Sequence, residues 1–379
     1  MIWAHYLDRL DLQEALAAGP VSLRIRGIAT SPHGYLTYHQ VEDQLPAGIT
    51  WSDRRDRMAT VVTPLHDAQP HRSARPLTAY VMTDRVYLPN LTTEVRPPGS
   101  TTLYVTPGVP FAFETMATWP ITADPRDVPV GWQTSKPRRF ERGERTEMPW
   151  LKAPYGPALS TTTTGTEGET LPLAYRSGDK LNLNLPMFTN SPGTGRRGWY
   201  DPGTDTGSTT LSRDGKRIGH NDVPGIAGFD LPAGPGRYEL TVDAGYRLPG
   251  WPLATRVTEK WSFTSSGERA GPLPLLDVEY DLPLDLTNAA PAGKELTGAV
   301  QVAQQVGAER TGITSVRLEV SYDDGAIWQR AVVDRDGPRW SVRIPAGASG
   351  REFASLRTTA TDTAGNKVTE TLVRAYRLT

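Results

Sequence analysis

Asp205-Thr206-Gly207-Ser208 is the stretch that most invites a catalytic reading. A carboxylate in an Asp-Thr-Gly-Ser setting can share a proton with a second carboxylate and activate water against a peptide bond. Only one copy is present, so a second chain would have to supply the partner. No apolar strand leads into Asp205, and Pro202 and Gly203 precede it; a polar turn, its Asp and Ser bonded to the local backbone, is the plainer expectation. His66, Asp67 and His71 carry zinc-ligand chemistry, but Pro70 interrupts them and no helical face gathers them, so a solvated loop is expected. Asp323-Asp324 and Asp362 with Asn366 offer hard oxygen donors of the kind calcium takes. Each turn has two such side chains where calcium needs about six to eight ligands, so a hairpin turn and an Asx-type turn are expected instead. Trp199, Tyr200, Tyr246 and Trp251 sit beside Gly and Pro. Such rings can stack on sugars or grip an extended peptide, or they can close a junction between domains, which is the expectation here. None of these sets is complete, so no cofactor is expected.

The elements that would position these groups are strands. Residues 101–105, 180–185, 238–242, 257–263, 316–322, 340–344 and 368–376 alternate apolar and polar with period two, as does 21–28. Turn clusters separate them at Arg213-Asp-Gly-Lys216, Pro232-Ala-Gly-Pro-Gly236, Asp323-Asp-Gly325 and Asp362-Thr-Ala-Gly-Asn366. Only residues 7–18 carry a helical spacing of Leu and Ala, stopped by Gly19-Pro20. The pattern predicts an all-β protein of two or three tandem antiparallel β-sandwich domains. Cuts are expected near 115 and 272: residues 1–115 β-rich with a short helix, 116–272 a jelly-roll-like sandwich, and 273–379 an immunoglobulin-like or fibronectin-like sandwich. Residues 161–164 read as an exposed loop. Trp261, Trp328 and Trp340, in or beside alternating strands, are expected in the core.

Bulk composition narrows the function classes. With 41 basic and 42 acidic residues the net charge is −1, and the basic run Lys136-Pro-Arg-Arg139 is neutralised by Glu141 and Glu144, which argues against nucleic acid as a partner. The 36 Gly and 33 Pro favour short strands and many turns, and 10 Trp with 14 Tyr argue against disorder. The absence of cysteine removes disulfides, thiolate metal sites and Cys nucleophiles. No apolar run approaches the ~20 residues of a membrane span. Residues 1–20 lack a basic stretch followed by an apolar core, so no secretory signal is expected there.

Several motifs in order carry a resemblance. They are Phe140-Glu-Arg-Gly-Glu144 through Trp150, Gly156-Pro157, Arg176-Ser-Gly-Asp179 leading to Leu185-Pro-Met-Phe188, and Leu211-Ser-Arg-Asp-Gly215. Then come Arg256-Val-Thr-Glu-Lys-Trp-Ser-Phe263, Leu273-Pro-Leu-Leu-Asp-Val-Glu-Tyr280, Val320-Ser-Tyr-Asp-Asp-Gly-Ala-Ile-Trp328, Ser355-Leu-Arg-Thr-Thr-Ala-Thr-Asp-Thr-Ala-Gly-Asn366 and Val373-Arg-Ala-Tyr376. Over residues 100–379 the chain resembles the region downstream of the catalytic domain in large secreted subtilisin-type serine peptidases of actinobacterial kind. That family's Ser motif, Gly-Thr-Ser-Met-Ala-x-Pro, has no counterpart here, and of its His-Gly-Thr motif only His33-Gly34 remains. The resemblance therefore implies an accessory region without a catalytic residue. It also implies an extracellular setting, a subtilisin-type catalytic domain as partner in the same chain or another, and protein or polysaccharide substrate nearby. An absent signal beside an exported-type composition is reconciled if the chain is the C-terminal part of a longer polypeptide. A stand-alone surface or carbohydrate-binding protein is the alternative, and a hydrolase built on Asp205 the third reading.

Overall fold

The computed structural model describes residues 33–39, 53–67, 75–83, 86–119, 128–160, 162–164, 170–190, 205–246, 252–268, 270–347 and 350–379. The expected helix at 7–18 and strand at 21–28 lie outside these residues. Within them the protein is all-β: several mainly antiparallel sheets and one 3-10 turn, Arg55–Arg57, with no α-helix.

Two cores organise the chain. The first lies between a four-stranded sheet, ordered His33–Leu36, Gly99–Val105, Ala59–Leu65, Arg145–Glu147, and a five-stranded sheet built on Arg75–Thr83, Val86–Val95, Pro110–Trp119 and Val128–Thr134. Val61, Leu103, Phe111, Phe113, Phe140 and Trp150 fill it. Pro110–Trp119 runs through residue 115 as one strand.

The second core extends from Ala153 to Tyr376 along a nine-stranded sheet. Its eight-strand path runs Lys216–Asn221, Asp205–Arg213, Gly236–Tyr246, Arg256–Ser265, Lys367–Leu378, Phe353–Asp362, Ile313–Ser321, Gln329–Arg330. Two smaller sheets complete it. One is Ile226–Asp230, Lys180–Asn184, Ala174–Ser177, Gly271–Pro272; the other is Leu276–Asp281, Leu296–Gln304, Arg339–Ile344, Val332–Asp336. Because Arg256–Ser265 pairs with Lys367–Leu378, the sheet joins strands on both sides of residue 272.

Alternation explains the burial. In Arg256–Ser265 the inward positions are Val257, Glu259, Trp261 and Phe263. In Lys367–Leu378 they include Val368, Glu370 and Leu372. An acid therefore occupies an apolar stripe on each of two neighbouring strands.

Three local expectations are corrected. Trp261 is buried, but Trp328 and Trp340 are half-buried and outside both cores. Their faces lie under the guanidinium groups of Arg357 and Arg335, 4.4 and 5.6 Å from the ring centroids. The core they were expected to fill is made by Val300, Leu318, Val320, Val342, Ile344 and Leu356. Within the expected loop at 161–164, Thr162–Thr164 is a strand paired with Thr170–Pro172. Asp205–Ser208 is no turn but opens the strand Asp205–Arg213, paired with Gly236–Tyr246. Gly207 there has φ +138, and a Cβ on it would stand 1.8 Å from the Asp243 carbonyl oxygen, so glycine is what lets the two backbones meet.

Candidate functional site

Among the described residues singled out for chemistry, Asp323, Asp324, Asp362 and Asn366 are taken up in hydrogen bonds within turns and between strands. Asp205 is buried at the strand start, its backbone opposite Tyr246, and no second Asp-Thr-Gly-Ser exists to face it. The Asp362 carboxylate accepts hydrogen bonds from Thr311 Oγ1 at 2.6 Å, Asn366 N at 2.8 Å, Asn366 Nδ2 at 2.9 Å and Ala364 N at 3.0 Å. Burial opposes its charge, but the bonds from Thr311, Asn366 and Gln304 prevail and hold its pKa below the ordinary range. Asp323 Oδ1 takes the Ser321 hydroxyl at 2.7 Å and the Ile327 amide at 2.9 Å. Asp324 receives Arg374 Nε at 3.0 Å and Nη2 at 2.8 Å. Thus Asp362 and Asn366 close an Asx turn as expected, while Asp323 and Asp324 brace a hairpin. Among the described residues, no group of three or more His, Asp or Glu side chains could hold a metal ion.

His66 is a buried side chain and not the solvated loop expected; its Nδ1 lies 2.9 Å from the Asp285 carbonyl. The Asp67 amide donates to the Leu286 carbonyl at 2.9 Å. His71, Trp199, Tyr200, Trp251 and the side chain of Tyr246 lie outside the described residues.

Two arrangements escaped the sequence reading. The first is an open hollow of about 650 Å³ lined by Arg54, Arg55, Asp56, Thr60, Tyr104 and Arg145. The 3-10 turn raises Arg55 over the Tyr104 ring, 4.2 Å from its centroid. Tyr35 stacks on the same ring at 5.1 Å and is itself 51% exposed. Arg54 is bound to Asp56 through two bonds of 3.1 and 3.0 Å. Tyr35, Arg55 and Arg145 therefore form a face that is aromatic and cationic at once, suited to a flat or acidic partner. Only the Arg-rich run Arg54-Arg55-Asp56-Arg57 signalled it, because the strands that bring Tyr35, Tyr104 and Arg145 to it are far apart in sequence.

The second is a buried acid cluster. Glu259 and Glu370 stand directly opposite each other on paired strands, each 1% exposed. From the strand Leu276–Asp281, the Tyr280 hydroxyl donates to Glu370 Oε1 and lies 2.7 Å from Thr358 Oγ1. Asp277, on the same strand, is 5% exposed and accepts the Leu159 amide at 2.8 Å. Gly156 packs so closely on Glu370 that a Cβ would stand 2.7 Å from Oε2. Burial first, then neighbouring acids, hold Glu259 and Asp277 well above the usual carboxyl range; burial also raises Glu370, against hydrogen bonds from Glu259 and Tyr280. The available signal was an acid at an inward position of a period-two strand.

No family model and no curated protein matches this chain. Among solved structures it is similar to fibronectin(III)-like modules of Clostridium thermocellum CbhA, at 14% identity over 50% of this chain and 81% of that one, TM-score 0.19. It is also similar to the FN1-FN3 domains of chicken CNTN1, at 12% identity over 80% and 91%, TM-score 0.15. Surface layer protein SbsC, domains 1-6, matches at 13% identity over 82% and 54%, TM-score 0.16. Among the described residues no helix is long and apolar enough to cross a membrane.

Proposed function

We propose that this chain is a non-catalytic binding and bracing region that acts beside a subtilisin-type catalytic domain outside the cell. The observation that carries the reading is the open face of Tyr35, Arg55 and Arg145 on a scaffold whose Asp323 and Asp362 carboxylates hold turns together. An exposed aromatic stacked on a ring that itself carries a guanidinium is the composition that interface anchors favour. The resemblance over residues 100–379 supplies the partner.

The test is titration of the chain into a subtilisin-type catalytic domain from the same source, read by calorimetry and by the lifetime of peptidase activity at raised temperature. Saturable binding and a longer lifetime are expected, with at least a tenfold weakening in the double variant Arg55→Ala, Arg145→Ala. Absence of both effects in the wild type overturns the reading. Exposed Tyr35 also favours a second one, in which this face stacks on polysaccharide. Retention on an insoluble polysaccharide that Tyr35→Ala abolishes would select it.

A further inference from the structure

The acid cluster lacks a counter-charge. Like charges directly opposite on neighbouring strands are destabilising, and in a dry core the penalty of ionising both is larger still. Among the described residues, no element packed around the pair brings a cation to it. On the Glu259 strand, Lys260 points away and pairs with Glu239 at 2.9 Å. On the Glu370 strand, Lys367 is exposed. The strand Leu276–Asp281 contributes Asp277, Glu279 and Tyr280, and Phe353–Asp362 contributes the Thr358 hydroxyl. Val242 faces Glu259 across Gly236–Tyr246; residues 156–160 hold nothing that titrates, and the exposed Lys136 ammonium that reaches them donates to the Ser160 carbonyl. The side chains acting most strongly on the three carboxyls are thus acids and hydroxyls, joined at Asp277 by the Leu159 and Ser160 backbone amides. Glu259 Oε1 and Asp277 Oδ1, both deeply buried, accept no hydrogen bond among the described residues.

We propose that Glu259 and Glu370 form a proton-holding pair that locks residues 156–160 across the nine-stranded sheet and loosens that lock as the surroundings become alkaline. A shared proton turns the repulsive pair into a donor and an acceptor, and leaves Glu370 able to take the Tyr280 hydroxyl. Residues 156–160 register the charge state at two points. Gly156 lies against Glu370 Oε2, and Leu159 donates to Asp277. Gly156-Pro157, Glu259, Asp277, Tyr280 and Thr358 all fall within the motifs that carry the family resemblance.

The sign follows from proton linkage. In the unfolded chain these carboxyls ionise in the ordinary range, while the folded chain keeps its protons to higher pH. Stability is therefore complete below the unfolded carboxyl pKa and falls as pH rises toward the folded one. The experiment is thermal unfolding of the intact chain from about pH 5 to about pH 9 with chelator present. The melting temperature of the wild type is expected to fall with rising pH. Glu259→Gln or Glu370→Gln, whose amides mimic the protonated acid, should lose most of that slope. An infrared spectrum of the wild type at neutral pH should show the carbonyl band of a protonated carboxylic acid, a readout that survives if both variants fail to fold. Absence of that band, an unchanged slope in both folded variants, or abolition of the slope by added calcium, which would make a cation the occupant, each overturns the proposal.

Discussion

Trp261 and Trp340 show how differently two tryptophans on alternating strands can be placed. Trp261 is 1% exposed and its indole N–H donates to the Leu276 carbonyl at 2.8 Å. Trp261→Ala is expected to destabilise by about 3–5 kcal/mol in urea unfolding. Trp328→Ala and Trp340→Ala, each removing a half-buried ring beneath an arginine, should cost about 1 kcal/mol in the same assay. Gly207 makes a converse case. Gly207→Ala should cost at least about 1–3 kcal/mol and raise hydrogen exchange along Asp205–Arg213, because the strand cannot approach Asp243 with a Cβ in place. Asp362→Ala should cost about 1–3 kcal/mol by leaving its donors unpaired. Since Asp362 is held below the ordinary carboxyl range, its contribution is present above the unfolded pKa and lost as pH falls through the folded one; comparing the acid limb of the melting curve in this variant checks it. At this scale the sequence was legible where a turn fixes its own chemistry, as at Asp362 and Asn366. It misled where the ring's depth depends on which sheet covers it, as at Trp340.

At the scale of elements, period-two alternation located the strands well. Residues 238–242, 257–263, 316–322 and 368–376 coincide with observed strands or lie largely within them. What alternation could not supply is the partner of each strand. The alternation over 257–263 puts Glu259 in register with Val257 and Trp261, but its meeting with Glu370 depends on pairing between strands separated by a whole further sheet. The strand Lys367–Leu378 holds that arrangement together, since Thr369 is opposite Lys260 on one side and Thr359 on the other. Thr369→Pro should remove a ladder bond from a central strand and cost about 3 kcal/mol or more. Circular dichroism melting should show the loss over the whole second core, because both flanking strands lose their register with it.

At the scale of the molecule, the two cores meet where Asn288 bonds Leu151 and Ala153, and where Asp285 and Leu286 bond His66 and Asp67. Asn288, fully buried with φ +58, accepts the Ala153 amide at 2.9 Å through Oδ1 and donates to the Leu151 carbonyl at 3.0 Å through Nδ2. Its side chain thus supplies partners to the backbone of residues 151–153, while its own carbonyl accepts the Arg377 amide at 2.9 Å, and Asn tolerates the left-handed conformation better than most residues. Asn288→Ala is expected to speed exchange of the Ala153 amide and to lower the first thermal transition. An unchanged exchange rate would show that the contact carries no mechanical link between the cores. No periodicity announces such a residue, because its role lies in side-chain bonds to a segment far away in the chain.

The continuity of the nine-stranded sheet has a consequence for biosynthesis. As the chain emerges from the ribosome, Arg256–Ser265 is made long before Lys367–Leu378, the strand that will cover its open edge. Until then that edge offers unpaired amides and carbonyls, together with Trp261, Phe263 and an inward Glu259. A nascent strand in this state can be captured by a neighbouring chain. An ionised Glu259 is a charge on the face that would stack against such an intruder, so the same side chain that must hold a proton in the finished sheet can guard the unfinished one against aggregation.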